Sequence, residues 1–190
     1  MTTEDNKIVY IDADTSDYSI VYYAFDTYTK INCAYKYYSN NDNSFEANEI
    51  IPGIYLGGIN SVYDINKLKE LNITHIISAI AGFDPPYPKE FNYLVVNALD
   101  NENTNLSKIF DKTNDFINET FFCDKKILIH CQAGRSRSTT ILAAYLIKLT
   151  GNNVKNIISS IKCKRNIIEP NKYFLEQLES YRKELFHYKK

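Results

Sequence analysis

The sequence predicts an α/β fold: a central mixed, mostly parallel sheet of four to five strands flanked by helices. Two features carry this expectation. Short apolar runs alternate with longer segments whose apolar residues recur at helical spacing, the pattern of buried strands alternating with amphipathic helices. Turn-forming residues separate the runs, so each is one element of a packed domain.

The elements follow in order. Residues 1–48 form a Tyr-rich, polar N-terminal extension in which Ser19 to Phe25 has strand propensity and Ser39 to Ser44 reads as a loop. The main domain is placed at 49–188. Ile54-Tyr55-Leu56 reads as a short strand, and Asp64 to Leu71 as a helix with Ile65, Leu68 and Leu71 on one face. Thr74 to Ala79 is a buried strand. Phe83 to Pro88 is a loop, because Pro85, Pro86 and Pro88 remove donors and fix φ. Tyr93 to Val96 is a strand. Leu106, Ile109, Phe110, Thr113, Phe116, Ile117 and Thr120 trace one face of a long helix. Lys126 to Ile129 is the next strand. Three helices close the chain, at about 138–149, 153–164 and from Asn171 to Leu185; Gly151 stops the first and Asn171 is a natural N-cap for the last.

Composition removes several functional classes. A net charge of −1 gives no global field for nucleic acid or an acidic membrane. No apolar run approaches the ~20 residues that span a bilayer. The first 20 residues carry no apolar leader, and Thr2 leaves the myristoylation pattern unmet, so no membrane anchor is expected. The four cysteines, Cys33, Cys123, Cys131 and Cys163, lack paired spacing, which argues against a zinc site or disulfide scaffold and fits a reducing compartment, cytoplasmic or also nuclear. No metal or cofactor is expected. Cys33 and Cys163 read as buried inert thiols. Cys123 is near enough to Cys131 in sequence for an oxidative disulfide to be considered. His75 and His187 read as core or surface residues. Oligomeric state leaves no mark on the sequence.

The chemistry is concentrated in Ile129-His130-Cys131-Gln132-Ala133-Gly134-Arg135-Ser136-Arg137-Ser138. A strand precedes this run and a helix follows it. Loop amides and a helix N-terminus then converge on one point that favours negative charge. A cysteine there is a thiolate, because such surroundings lower a thiol pKa from about 8.5. Cys131 is the expected nucleophile. Arg137 is the expected phosphate clamp, since a planar guanidinium meets two phosphate oxygens at once and lysine cannot. Gly134 supplies the backbone freedom for the turn. Gln132, Ala133, Gly134, Arg135, Ser136 and Arg137 form the phosphate loop, with the Arg135 side chain a solvated or rim group. A sulfur anion in a phosphate-shaped nest implies phosphoryl transfer to cysteine.

The run resembles the Cys-x5-Arg-Ser signature of the protein tyrosine phosphatases, and most of all their dual-specificity branch. Glu49-Ile50-Ile51-Pro52-Gly53-Ile54-Tyr55-Leu56-Gly57 is similar to that family's opening strand. Arg165, Ile168, Pro170-Asn171, Phe174 and Gln177-Leu178 are similar to its closing segment. The likeness covers roughly 49–185. It implies a phosphatase fold and a phosphocysteine intermediate. It makes Ser138 the hydroxyl that donates to the cysteine sulfur, and His130 and Asn171 supporting residues around the site. It also implies a general acid on a loop after a strand. Asp100, 31 residues before Cys131 and after the run Tyr93 to Leu99, fits that place, with Glu102 and Asp84 as alternatives.

The resemblance implies an enzyme for phosphorylated proteins, hydrolysing phosphotyrosine and phosphoserine or phosphothreonine. The alternatives are a phosphatase for phosphoinositides, RNA 5′ ends or another non-protein phosphate, and an inactive phosphopeptide-binding module. Lipid-type loops usually carry extra lysines where this one has Gln132 and Arg135, and inactive modules typically lack one of the three groups present here.

Overall fold

The computed structural model describes residues 7–14, 18–21, 45–122 and 125–187. Most of the Tyr-rich segment, the 39–44 loop and Cys33 and Cys123 lie outside them, as does the idea of a Cys123–Cys131 link. The strands are β1 (Ile8–Asp12), β2 (Tyr18–Val21), β3 (Ala47–Ile51), β4 (Ile54–Gly57), β5 (Ile73–Ala79), β6 (Asn92–Asn97) and β7 (Lys126–His130). The helices are α1 (Asn60–Tyr63), α2 (Ile65–Glu70), α3 (Phe110–Phe122), α4 (Arg137–Thr150), α5 (Val154–Lys164) and α6 (Lys172–His187), with a 3-10 turn, Leu106–Ile109, leading into α3.

All seven strands join one sheet in the order β2-β1-β6-β5-β7-β4-β3. The five inner strands pair parallel, and β2 and β3 close the two edges antiparallel. The α/β class and the mostly parallel sheet agree with the sequence reading; the strand number does not, since seven replace the expected four to five. The additional strands are the β1–β2 hairpin and the polar edge strand β3, Ala-Asn-Glu-Ile-Ile. Their runs are short and have no alternation, so periodicity cannot separate them from loop.

Alternation along each inner strand divides the core in two. Ile127 and Ile129 of β7 face the cluster under α3 to α6, whereas Leu128 joins Tyr93, Val95 and Ile76 on the α1–α2 side. Helix ends are set by the expected chemistry. The Asp64 carboxylate accepts from Lys67 N (3.0 Å), Asn153 Oδ1 from Asn156 N (2.8 Å), and Asn171 Oδ1 from Phe174 N (2.9 Å). Gly151, at φ 72°, ends α4 and donates to Ile147 O. Among the described residues no helix is long and apolar enough to cross a membrane.

The register positions the site. Gly57 and Ser78 both lie beside His130, and Ala79 lies beside Val96. The C-terminal ends of β4, β5, β6 and β7 therefore finish along one edge of the sheet. That edge is where open parallel sheets hold their ligands.

Candidate active site

Cys131 follows β7 directly, and α4 begins at Arg137, so the five residues 132–136 must turn the chain between them. Every one of the first four carbonyls in that turn is held on the outside. Ile59 N donates to Gln132 O (3.0 Å), Arg165 Nη2 to Ala133 O (3.3 Å), Arg165 Nε to Gly134 O (3.0 Å) and Glu169 N to Arg135 O (2.9 Å). In a trans peptide the N–H opposes the C=O. Carbonyls fixed outward therefore turn the amides of Ala133, Gly134, Arg135 and Ser136 inward, towards a common centre.

Arg165 does most of this work from a position only 4 % exposed. Its guanidinium also reaches Asn48 Oδ1 (2.9 Å) and the Glu46 carboxylate (2.8 Å). A buried cation with all its donors engaged, one partner a carboxylate, offsets its own desolvation. The sequence reading used Arg165 only as part of a resemblance and gave it no role. Its partners lie 31 and 119 residues away in the chain, beyond any local pattern.

Gly134 is required twice over. Its φ is +63°, and a Cβ there would meet Gly57 C and O at 2.5 Å, both backbone atoms that cannot step aside. A left-handed residue with a side chain costs about 1–2 kcal/mol before any clash, and overpacking adds about 1–3 kcal/mol. Gly134→Ala is therefore expected to lower the melting temperature by at least about 4 °C and to distort the cradle. A differential scanning measurement showing an unchanged transition would remove this account of the turn.

The sulfur of Cys131 is 1 % exposed. Burial alone disfavours its anion. The Ser138 hydroxyl at 3.1 Å, the Ser138 amide, the Arg137 charge and the Arg135 amide outweigh burial, and the thiol pKa falls below its ordinary value. His130 precedes it, fully buried, with Nε2 2.7 Å from Ser78 Oγ and its ring edge-on to Phe83. Burial pushes the His130 pKa down to about 4; the Cys131 backbone opposes this and the Arg137 charge adds to it. The imidazole is neutral near pH 7 and packs behind the nucleophile.

Arg137 opens α4 but turns back over the loop. Its Nη1 donates to Ala98 O (3.1 Å), and its Nε, buried and without a hydrogen-bond partner, lies 3.7 Å from Asp100 Oδ2. Asp100 Oδ1 accepts from Ser136 Oγ and from Asn171 Nδ2, both at 2.8 Å. Ser136 thus spends its hydroxyl on Asp100 instead of capping α4, and it also accepts from Asn171 N at 3.3 Å. Asn171 caps α6 with one side-chain atom and holds Asp100 with the other.

The other two carboxylates considered as acids lie differently. Glu102 accepts from the Tyr173 hydroxyl at 2.6 Å. Asp84 is exposed in the proline loop, and partial burial raises its pKa. The Arg135 guanidinium is half exposed and pairs with Glu169 at the rim. The Gln132 side chain is partly buried. One sequence reading is corrected: Cys163 is exposed near the end of α5, not buried, because it falls on the polar face opposite Ile157 and Ile161. His75 is buried, with Nδ1 2.8 Å from Thr74 Oγ1. Among the described residues no cluster of His, Cys, Asp or Glu is arranged to hold a metal.

Comparison with known proteins agrees with this geometry. Residues 54–184 match the family described as "Dual specificity phosphatase, catalytic domain". Dual specificity protein phosphatase 1 of Arabidopsis thaliana is 38% identical over 133 residues, which are 70% of this chain and 67% of that protein. MAP kinase phosphatase with leucine-rich repeats protein 3 of Dictyostelium discoideum is 40% identical over 73% of this chain, a match that spans 16% of that longer protein. The crystal structure of human tyrosine phosphatase-like serine/threonine/tyrosine-interacting protein superimposes with a TM-score of 0.70 at 31% identity, over 73% of this chain and 96% of that one.

Proposed function

This chain belongs to the dual specificity phosphatase family and is a cysteine-based protein phosphatase, and on that premise we propose that Cys131 carries phosphate monoester hydrolysis in two steps, with phosphotyrosine and phosphoserine or phosphothreonine side chains as substrates. The observation that carries the assignment is the sulfur itself, set among the inward amides of 133–136, the Ser138 hydroxyl and Arg137.

In the first step the thiolate attacks phosphorus in line. The P–O bond to the leaving side chain breaks as the S–P bond forms, and Asp100 gives its proton to the departing oxygen. The loop amides and the Arg137 guanidinium receive the three equatorial oxygens, so charge is stabilised where it builds. In the second step water attacks the phosphocysteine and Asp100 takes the water's proton. The S–P bond breaks, and the Ser138 hydroxyl, donating to sulfur, eases departure of the thiolate. The two bonds to Asp100 from Ser136 and Asn171, with Arg137 nearby, keep its carboxyl over the loop through both steps.

Turnover of p-nitrophenyl phosphate and of phosphopeptides in EDTA tests the reading; an inert wild-type protein would overturn it. Parallel rates on phosphotyrosine and phosphothreonine peptides and on phosphoinositides rank the substrate classes. Asp100 must be protonated for the first step, so kcat falls as pH rises through its deprotonation. Asp100→Asn is expected to lower kcat about 10²-fold on poor leaving groups and to remove this basic limb. A retained basic limb would move the role to another acid.

A further inference from the structure

The general-acid loop is clamped at both of its ends by the N-terminal strand, which lies outside the segment matched by the family. We propose that Asp12 and Asp14, at the end of β1, are positioning residues for Asp100. This rests on the general-acid reading and extends it to a part of the chain with no assigned role.

The contacts form two fixed points. At the near end β1 runs parallel beside β6, with Asp12 paired to Asn97 and Ala13 N donating to Asn97 O at 3.3 Å. Asn97 Nδ2 donates to Asp12 Oδ2 at 2.9 Å, while Asn97 Oδ1 accepts from Gly82 N at 3.2 Å. Asn97 is three residues before Asp100. At the far end Asp14 Oδ1 accepts from Asn105 N at 3.2 Å, and Asp14 O accepts from Lys108 Nζ. The two ends are coupled, because Asp14 N donates to Asp12 Oδ1 at 2.8 Å and so fixes the turn that carries both carboxylates.

The chain from Ala98 to Thr104 thus leaves the sheet at one anchored residue and returns at another. The far side of this arch is met by α6, through Asn171 to Asp100, Tyr173 to Glu102 and Gln177 Nε2 to Thr104 O. A catalytic group must be held to about 0.5 Å, and about 1 Å of misplacement costs on the order of 10²-fold. Contacts from α6 reach the middle and return of the arch; the β1 turn fixes its span. Releasing the turn lets Asp100 drift from the leaving oxygen without disturbing the cysteine cradle, which is built from other elements.

That separation gives the test. Departure of a poor leaving group needs a well-placed acid; departure of a strongly acidic phenol does not. The full chain carrying Asp12→Asn together with Asp14→Ala is compared with wild type on phenyl phosphate and on 2,4-dinitrophenyl phosphate. The expected result is a kcat about tenfold lower on the first and within about twofold on the second. No further loss is expected when Asp100→Asn is added, because the pair acts only through that acid. Equal losses on both substrates, or a loss that multiplies with Asp100→Asn, would overturn the proposal. Should the double variant not fold, Lys108→Gln removes an exposed contact to the same turn. Its loss, about threefold, must show the same leaving-group selectivity, and an unselective loss overturns the proposal. A wild-type chain inert on both substrates would overturn the functional reading and this inference with it. A selective Asp100→Asn beside unselective β1 variants overturns this inference alone.

Discussion

Cys131→Ser is expected to lower turnover on the order of 10⁴-fold or more while leaving phosphopeptide affinity largely intact. The substitution changes one atom. The amides of 133–136, the Arg137 fork and the outward clamps by Arg165, Ile59 and Glu169 all remain. What is lost is the anion. The thiol here is pulled below its ordinary pKa against burial, whereas a serine hydroxyl in the same place stays protonated and is a poor nucleophile. Because the cradle binds the phosphate in the ground state as well as in transit, the variant becomes a trap for its substrate. Single-turnover assays and calorimetric binding read the two effects separately. The sign of the pH effect follows from the lowered pKa. In wild type the thiolate persists as pH falls below the usual thiol range, and alkylation by iodoacetate is lost only on passing the depressed value. Turnover by the serine variant above about one per cent of wild type would end the nucleophile assignment.

Arg137→Lys is expected to reduce kcat/KM by about 10³-fold, or about 4 kcal/mol, although the charge is kept. The guanidinium spans two sites at once, with Nη1 on Ala98 O at 3.1 Å and Nε directed to where Asp100 and substrate oxygens meet. Lysine presents one point of charge and cannot hold the start of the acid loop while bridging two phosphate oxygens. Both KM and kcat are expected to suffer, since the fork binds the substrate phosphate and gains strength as charge moves to the equatorial oxygens. A lysine variant within about tenfold of wild type would show that charge alone suffices and that the fork geometry carries no catalysis.

The nucleophile loop was legible because its information is local. The cysteine, the glycine, the arginine and the serine lie within eight residues, and the apolar strand and helix around them are read from periodicity. Asn171 was legible as a cap by its residue type, but its second bond, to Asp100, joins positions 71 apart. The choice among Asp100, Glu102 and Asp84 needed three dimensions: only coordinates place the first against Ser136 and Arg137 and the second against Tyr173. The outward clamps were invisible for the same reason. Nothing near Arg165 in sequence says that its guanidinium ends on Ala133, Gly134 and Glu46. The expected long helix from Leu106 is a 3-10 turn followed by α3, since Asn105 Oδ1 accepts from Ser107 N at 3.1 Å and tightens the first turn. The β1–β2 hairpin was hidden in a polar, tyrosine-rich segment whose short apolar run fits strand and loop equally well.

The clamping of the loop by a distant arginine has a consequence for how the protein is made. During synthesis the reactive sulfur leaves the ribosome 34 residues ahead of Arg165, and 40 ahead of Asn171. Until those residues arrive, nothing turns the loop carbonyls outward or steadies the acid. A nascent chain therefore carries an ordinary cysteine, and chemical competence appears as one of the last events of assembly rather than with the motif that encodes it.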